Sequence, residues 1–315
     1  MPTKSKPRFI TQGELQGKPK IIAIVGSTAS GKTALSLLLG AKFNGEVISA
    51  DSRQIYRGLD IGTAKATLTE QAKAKHWLID VKNPDEEYSV SEFKRAAEAA
   101  INDIAGRKQL PIVVGGTAQY LYALIDNWQI PKVKENKVLR AQLEKNIAEQ
   151  GLEKVYEQLL ELDPEAAYIV DPKNPRRVVR ALEVALATGQ PFSKQRQRGE
   201  PLFDSLILGV KLAPAELTKR IAQRVHAMIK AGLVEETKKL LKKYPVDLKV
   251  FDTIGYRELV PYRQGQITLA QAIAEIISHT KNFAKRQLTW FKRDARIKWI
   301  RNVTEAEALV EAFLQ

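Results

Sequence analysis

The sequence of 315 residues contains no cysteine. Disulfides and cysteine-based zinc sites are therefore excluded, and the composition fits a reducing compartment. The three histidines, His76, His226 and His279, are too far apart along the chain to suggest a metal cluster. No apolar run approaches the length that a membrane-spanning helix needs. These absences favour a soluble, cytoplasmic protein without a membrane partner.

The N-terminal segment, residues 1–20, lacks the apolar core of a secretory signal peptide. It is basic and contains three prolines. We therefore expect a disordered basic leader in this segment. With 44% hydrophobic residues, the chain is long enough to bury one large core, or a core and a smaller domain.

The most informative segment is the G-x-x-x-x-G-K-T pattern at residues 26–33. The apolar run before it, 21–25, predicts a buried strand, and the Leu-rich run after it, 34–42, predicts a helix. Strand, loop and helix in this order are typical of a phosphate-binding loop, whose backbone N–H groups converge on phosphate oxygens. Lys32 adds a positive charge, and the hydroxyl of Thr33 can bind Mg²⁺. The predicted diphosphate site consists of Gly26, Ser27, Thr28, Ala29, Ser30, Gly31, Lys32 and Thr33.

Further apolar runs at 46–50, 77–81, 111–114 and 205–211 alternate with helical patterns. This alternation predicts an α/β fold, a P-loop NTPase-like parallel sheet flanked by helices. Active groups of such sheets lie at the carboxyl ends of the strands. We therefore expect Asp51, which follows the second strand, and Thr117, which follows the fourth, to border the phosphate loop.

The strand pattern disappears between residues 131 and 199, where the sequence is charged and helical in period. This change predicts an all-helical insertion domain. The α/β core would then consist of residues 21–130 and 200–315, and its C-terminal part is expected to be mostly helical.

The formal net charge of +14 favours a polyanionic partner. Eight basic residues and one acid lie between Lys281 and Arg301. Aromatic residues are interleaved with them: Phe283, Trp290, Phe291 and Trp299. Basic side chains neutralise phosphates and aromatic faces stack on unpaired bases, so this segment is expected to meet nucleic acid. The aromatic residues alone are equally consistent with core anchors under a solvated basic face.

The segment 51–65, DSRQIYRGLDIGTAK, resembles the signature of the tRNA dimethylallyltransferases, also called tRNA isopentenyltransferases or IPP transferases. Since there is no cysteine, the resemblance is to bacterial-type members without the zinc finger of eukaryotic relatives. Besides the phosphate loop, five further segments are similar to the family in the same order: HWLID at 76–80, VGGT at 114–117, NPRRVVRALE at 174–183, IGYR at 254–257 and KRQLTW at 285–290.

The resemblance implies transfer of a dimethylallyl group from dimethylallyl diphosphate to N6 of an adenosine beside the anticodon of a tRNA, with release of diphosphate. The implied partners are therefore dimethylallyl diphosphate and the anticodon stem-loop, and the expected cofactor is Mg²⁺. The chain is expected to act as a monomer. Because the diphosphate belongs to the donor, the loop would hold a leaving group, and ATP hydrolysis is not required.

The chemistry also identifies a candidate base. The adenine amine must lose a proton as the new C–N bond forms, and a carboxylate within hydrogen-bond reach is a natural acceptor. Asp51, at a strand end beside the loop, is the predicted general base, and a structural helix cap is its alternative role. Asp80 closes another predicted strand and remains an alternative acid behind a magnesium site.

The resemblance assigns the remaining site residues. Arg220 would contact the diphosphate, and Thr117 would contact the tRNA near the reacting base. The expected catalytic set is thus Asp51, Thr117, Lys32 and Arg220. The expected tRNA contacts are Asp51, Ser52, Arg53, Gln54, Thr117, Arg140, Arg176, Arg177, Val178, Val179, Arg180, Gly255, Tyr256, Arg257, Lys281, Lys285, Arg286 and Gln287.

Three other functions remain open at this point. An adenylate isopentenyltransferase would use the same donor on free AMP, ADP or ATP, but should be smaller and lack the insertion. A small-molecule P-loop kinase would not need the basic aromatic C-terminal segment or the 51–65 block. A non-catalytic RNA-binding protein would not need intact Lys32, Thr33 and Asp51.

Overall fold

The structure is a computed structural model, and it describes residues 17–131, 133, 135–195 and 198–315. The chain divides into two compact units. The core unit contains the described residues up to Ile125 together with Pro201–Gln315, and the insertion unit is Asp126–Glu200. The boundaries expected from the sequence were 130 and 200. Most of the expected leader, residues 1–16, lies outside the described residues, but Lys20 begins the first strand.

The core unit is built on a six-stranded parallel sheet with the order β3-β2-β4-β1-β5-β6. The central strand β1 pairs on one side with β4, where Ile22 faces Ile112, and on the other with β5, where Ile22 faces Leu206. The fold class predicted from the sequence is therefore confirmed. The strands are β1 (Lys20–Val25), β2 (Gly45–Ser49), β3 (His76–Trp77), β4 (Leu110–Gly115), β5 (Asp204–Val210) and β6 (Lys298–Ile300).

The helices of the core unit are α1 (Lys32–Lys42), α2 (Leu68–Gln71), α3 (Val90–Gly106), α4 (Ala118–Ile125), α9 (Pro214–Lys230), α10 (Leu233–Lys243), α11 (Leu259–Arg263), α12 (Leu269–Phe291) and α13 (Val303–Leu314). Those of the insertion unit are α5 (Lys137–Gln150), α6 (Leu152–Leu162), α7 (Pro175–Thr188) and α8 (Phe192–Gln195).

Both faces of the sheet are buried, since Ile21 and Ile22 of β1 point to opposite faces and are each 0% exposed. Ile22, Ile24 and Ile112 are completely buried and pack with Leu39 of α1 and Leu208 of β5. Complete burial of such a side chain stabilises the fold by about 1.5–3 kcal/mol. Continuous apolar runs are typical of parallel strands covered on both faces, which is why β1 and β4 are legible in the sequence.

The strand predicted at 77–81 is wrong beyond its first residue. Leu78 and Asp80 have φ values of +62° and +55°, which lie outside the extended region, so β3 ends at Trp77. In contrast, β6 was missed. Its three residues lie within the basic segment, where charges hide the short apolar pattern.

A second apolar cluster joins the C-terminal helices to the segment after β2. Ile55 and Leu59 of that segment pack with Leu233 of α10, Tyr256 and Leu259. Each of these five side chains is at most 1% exposed. The 51–65 block therefore packs against helices that follow β5 in the sequence.

The insertion unit has a small apolar core of its own. Leu143 of α5, Leu159 of α6 and Leu182 of α7 pack together with Val178 and Val179. The last two side chains are 0% and 5% exposed, so the prediction that they contact tRNA is wrong for their side chains. They hold α7 in its unit, while Arg176 and Arg177 of the same helix are exposed.

Candidate active site

The phosphate loop curls tightly between β1 and α1. Gly26 and Gly31 have φ values of +149° and +98°, which side chains rarely allow, and Ala29 also has a positive φ. A Cβ atom at Gly26 would lie 3.0 Å from Ser30 Oγ and 3.1 Å from the carbonyl oxygen of Val210. The helix begins at Lys32, so its positive end faces the inside of the loop. The geometry is that of an anion cradle.

Lys32 lies within this cradle with its charge poorly hydrated. Its Nζ donates a hydrogen bond to the carbonyl oxygen of Ser27 at 2.6 Å. Burial of the ammonium group, reinforced by the positive charge of Arg224, lowers the pKa of Lys32 to about 7, although Asp51 acts in the opposite direction. The negative charge of a bound diphosphate would compensate the positive charge of this lysine.

Arg224 of α9 is a site residue that sequence reasoning missed. Its Nη1 donates to Thr28 Oγ1 at 3.0 Å, and its burial lowers its pKa. Arg220, which was expected at the diphosphate, also lies near the loop, with Nη1 3.9 Å from the place of a Cβ at Gly31. However, Arg220 is half-exposed and its Nε pairs with Glu216 at 2.6 Å. The spacing of four residues, which puts both arginines on one helix face, could have revealed Arg224.

Asp51 follows β2, and its side chain lines the same cavity as Lys32 and Thr33 of the phosphate loop. Its Oδ1 accepts hydrogen bonds from the backbone N–H of Arg53 at 2.8 Å and Gln54 at 3.4 Å. Thr117, at the end of β4, accepts from the backbone N–H of Ser52 at 3.2 Å. One carboxylate oxygen of Asp51 thus caps the N–H groups of the following turn. The other oxygen, Oδ2, is not used by these two bonds, so the capping role is compatible with a role as base.

Two connected cavities meet at these groups. The smaller, of about 80 Å³, is lined by Lys32 and Thr33 of the loop. The larger, of about 550 Å³, is lined by Thr117, Arg53 and Met228, among others. The residues lining both are Thr28, Asp51, Thr63, Ala64, Arg224 and Phe283. A diphosphate cradle, a carboxylate and an apolar wall therefore share one space.

Two polar residues that the sequence singles out, Gln54 as a tRNA contact and Asp80 as an alternative acid, make hydrogen bonds within the protein. Gln54 donates to the carbonyl oxygens of Thr63 and Ala64 at 3.2 Å and accepts from Ser49, so its amide fixes the 51–65 block, although it borders the smaller cavity. Asp80 accepts from Nζ of the buried Lys65 at 2.6 Å. The alternative of Asp80 behind a magnesium site is therefore not favoured.

The IGYR segment contributes differently from expectation. Tyr256 is completely buried and donates to Glu236 Oε1 at 2.6 Å, which contradicts a tRNA contact by its side chain. Gly255 and Arg257 line the larger cavity. The buried carboxylate of Glu258 accepts from the Gly255 N–H at 2.7 Å and from Arg257, so it fixes this turn.

His279 of α12 is a further cavity residue that sequence reasoning left unassigned. Its Nδ1 lies 2.7 Å from Glu258 Oε1, and its ring lines the larger cavity.

Helix α12, which is expected to face RNA, has an exposed basic side and a buried side. Lys281, Lys285 and Arg286 are exposed, and Arg286 lines the larger cavity. Gln287, grouped with them by the sequence, is buried and bonds to other parts of the site.

The aromatic residues of this segment also separate. Trp290 is 42% exposed, whereas Phe291 is a core residue with 0% exposure. Phe283 borders both cavities. The interpretation as a core anchor therefore holds for Phe291, whereas base stacking by Trp290 stays a prediction.

The arginines of the insertion unit are also divided. Arg176 and Arg177, in the first turn of α7, are exposed. Arg140 and Arg180 instead pair with the buried carboxylate of Glu183, at 2.9 Å and 2.5 Å. Since this ion-pair cluster satisfies a buried charge, the latter two arginines have a structural role within the unit.

No group of three or more histidine, cysteine, aspartate or glutamate side chains is arranged for a metal ion among the described residues. Several side-chain oxygens line the smaller cavity, and among them is the hydroxyl of Thr33, which the loop pattern predicts to bind Mg²⁺. Mg²⁺ commonly binds one or two protein oxygens together with substrate phosphates and water. The donor set fits that arrangement. Within the part of the chain that the structure covers, no helix is long and apolar enough to cross a membrane.

Comparison with known proteins shows to which family the chain belongs. The family described as IPP transferase matches residues 54–294. A tRNA dimethylallyltransferase of Roseiflexus sp. (strain RS-1) is 49% identical over 274 residues, which is 87% of this chain and 90% of that protein. The corresponding enzyme of Herpetosiphon aurantiacus is 48% identical over 277 residues, 88% of each chain.

Solved structures are similar over most of the chain. A full-length tRNA isopentenylpyrophosphate transferase of Bacillus halodurans has a TM-score of 0.70 at 37% identity and covers 94% of this chain and 96% of its own. A eukaryotic dimethylallyltransferase described as acting on tRNA has a TM-score of 0.77 at 31% identity, over 90% of this chain and 75% of its own. The chain that carries this phosphate loop and Asp51 therefore belongs to the IPP transferase family.

Proposed function

We propose that this protein transfers a dimethylallyl group from dimethylallyl diphosphate to N6 of an adenosine adjacent to the anticodon of a tRNA, releasing diphosphate. One observation carries the proposal: the phosphate loop and Asp51 line the same cavity, which opens into a larger one. An anion cradle and a general base are the two devices that this reaction needs.

The donor is held by its diphosphate. Loop N–H groups, Lys32 and Arg224 surround the position of the anion and stabilise the charge that develops on it as the allylic C–O bond breaks. Mg²⁺, held by Thr33 and the diphosphate oxygens, would add further neutralisation of the leaving group. Phe283 and Met228 provide an apolar wall where the dimethylallyl group can lie shielded from water.

The acceptor enters through the larger cavity. An adenosine of a loop must leave its stack to reach such a site. As its N6 forms the bond to the allylic carbon, one N–H proton passes to the carboxylate of Asp51, and the diphosphate departs with the electron pair of the broken C–O bond. Thr117 holds the backbone beside Asp51 and fixes the direction from which the carboxylate approaches.

Recognition of tRNA rests mainly on the charge of the core unit. The insertion, residues 126–200, contains thirteen basic and twelve acidic residues, so nearly all of the net charge of +14 belongs to the rest of the chain. Long-range attraction of RNA is therefore assigned to the basic residues near α12 and β6, such as Lys285 and Arg286. Arg176 and Arg177 add a local cationic site at the first turn of α7. We expect action in the cytoplasm, as a monomer.

A transfer assay tests the proposal. Purified protein and Mg²⁺ are offered labelled dimethylallyl diphosphate with unmodified tRNA and, separately, with AMP, ADP and ATP. Label on an anticodon-loop adenosine is expected, with none on the free nucleotides. Label on a free nucleotide would instead indicate an adenylate isopentenyltransferase, and consumption of ATP without transfer would indicate a kinase.

A further inference from the structure

Gln287 differs from its neighbours on α12. Lys285 and Arg286, which precede it, face solvent, whereas Gln287 is only 7% exposed. A buried primary amide costs free energy unless its donor and acceptor atoms find partners. The positions of those partners therefore indicate what the residue does.

The amide joins two separate segments of the active site. Its Oε1 accepts a hydrogen bond from the backbone N–H of Thr28 in the phosphate loop at 2.8 Å. Its Nε2 donates to the carbonyl oxygen of Gly116, after β4, at 3.0 Å. A Cβ atom at Gly116 would overlap Nε2, so the glycine leaves space for this bond. A terminal amide offers a donor and an acceptor to these two partners without a net charge.

The two hydrogen-bond partners of Gln287 belong to the diphosphate cradle and to the segment beside Asp51. Thr28 is part of the diphosphate cradle, and its hydroxyl accepts from Arg224 of α9. Gly116 directly precedes Thr117, which accepts from the Ser52 N–H beside Asp51. The single amide thus connects the cradle to the strand end that carries the threonine, and it connects both to α12.

We propose that Gln287 is a positioning residue that fixes the phosphate loop relative to the Gly116–Thr117 segment, and that it does not contact RNA. Through it, the helix whose exposed basic side chains meet the acceptor is tied to the loop that holds the donor. The proposal rests on the proposed function only in naming those two substrates, since the bridge to an anion-binding loop is independent of the acceptor.

Binding of inorganic pyrophosphate with Mg²⁺, measured by calorimetry without tRNA, tests this role. Gln287→Met keeps the length of the side chain but removes both hydrogen bonds, and we expect affinity at least tenfold weaker. Thr289→Ala, at an exposed position of the same helix, is the matched control and should match the wild type. Unchanged pyrophosphate affinity with weaker tRNA binding would overturn the proposal, because it would make Gln287 an RNA contact.

Gln287→Glu provides a second test if the methionine variant does not fold. The introduced carboxylate can accept from Thr28 but cannot donate to Gly116, whereas its protonated form can. The affinity of this variant relative to the wild type should therefore rise as the pH is lowered from about 8 to about 5.5. A ratio that does not change with pH would contradict the bridge. Wild-type protein that binds pyrophosphate but modifies no tRNA would contradict the proposed function alone.

Discussion

At the scale of single residues, the site combines groups whose properties are set by burial. Lys32 and Arg224 both have lowered pKa values because their surroundings hydrate a positive charge poorly. Poorly hydrated positive groups bind an anion strongly, since the charge of the anion stabilises them in place of water. The cradle is therefore prepared for a diphosphate before it arrives.

The pKa of Lys32 predicts a pH dependence of pyrophosphate binding. In the free protein the pKa of Lys32 is about 7. A bound anion favours the protonated form and raises this pKa, so binding takes up a proton above pH 7. Affinity should then fall as the pH rises from about 7 to about 9, by up to about tenfold per pH unit. Calorimetry in buffers of different ionisation enthalpy should detect the proton uptake.

Lys32→Met is the control for this dependence. Its affinity should be low throughout, without the loss above pH 7 that the wild type shows after correction for titration of pyrophosphate itself. A wild-type affinity that stays constant from pH 7 to 9 would contradict the lowered pKa of Lys32.

Arg224 and Arg220 form a matched pair on α9. Arg224→Ala removes a half-buried charge that bonds to Thr28 and lines both cavities, so we expect pyrophosphate affinity to fall by at least tenfold. Arg220→Ala should cost less than about threefold, because that side chain is half-exposed and paired with Glu216. The same calorimetric titration compares them. A greater loss of pyrophosphate affinity from Arg220→Ala than from Arg224→Ala would support the sequence-based expectation that Arg220 contacts the diphosphate.

At the scale of elements, the sequence indicates best what a local pattern controls. The phosphate loop, β1 and α6 follow directly from glycine spacing and apolar periodicity, and Asp51 was placed correctly at a strand end. The end of β3 depends on positive φ values at Leu78 and Asp80, for which the sequence offers no glycine. The bridge of Gln287 depends on a partner far away in the chain, which periodicity cannot reveal.

Helix α7 shows the same limit within one short segment. The sequence groups Arg176, Arg177 and Arg180 as one cationic cluster, yet the structure exposes only the first two. Arg180 is drawn inward by Glu183, whose carboxylate also accepts from Arg140. Burial alone would raise the pKa of Glu183, but hydrogen bonds from these arginines and from the N–H of Asn136 lower it.

This division predicts two kinds of mutant in the insertion unit. Arg177→Ala should weaken tRNA binding while leaving the free energy of unfolding within about 0.5 kcal/mol of the wild type. Arg180→Ala leaves Glu183 with fewer partners and should destabilise the unit by about 1–3 kcal/mol. Urea unfolding and tRNA filter binding measure the two effects. Equal stability of both variants would contradict the structural role of Arg180.

At the scale of the whole molecule, charge is distributed unevenly between the units. Since the insertion has almost no net charge, counterion release on tRNA binding should come mainly from the core unit. The double variant Lys285→Ala/Arg286→Ala should therefore weaken tRNA binding and reduce the slope of log affinity against log salt by about 1–2. Lys238→Ala, on α10 and paired with Glu235, is the control and should leave the slope unchanged. An unchanged slope in the double variant would place the RNA elsewhere.

The central claim is that one cavity joins a diphosphate cradle to a carboxylate base, and Asp51→Asn tests it most directly. The asparagine side chain keeps the oxygen that caps the N–H groups of Arg53 and Gln54, so the fold and the pyrophosphate affinity should persist. The rate of dimethylallyl transfer to tRNA in a single turnover should fall by about 10²–10⁴-fold, the usual contribution of a general base. Transfer at the wild-type rate would contradict the account.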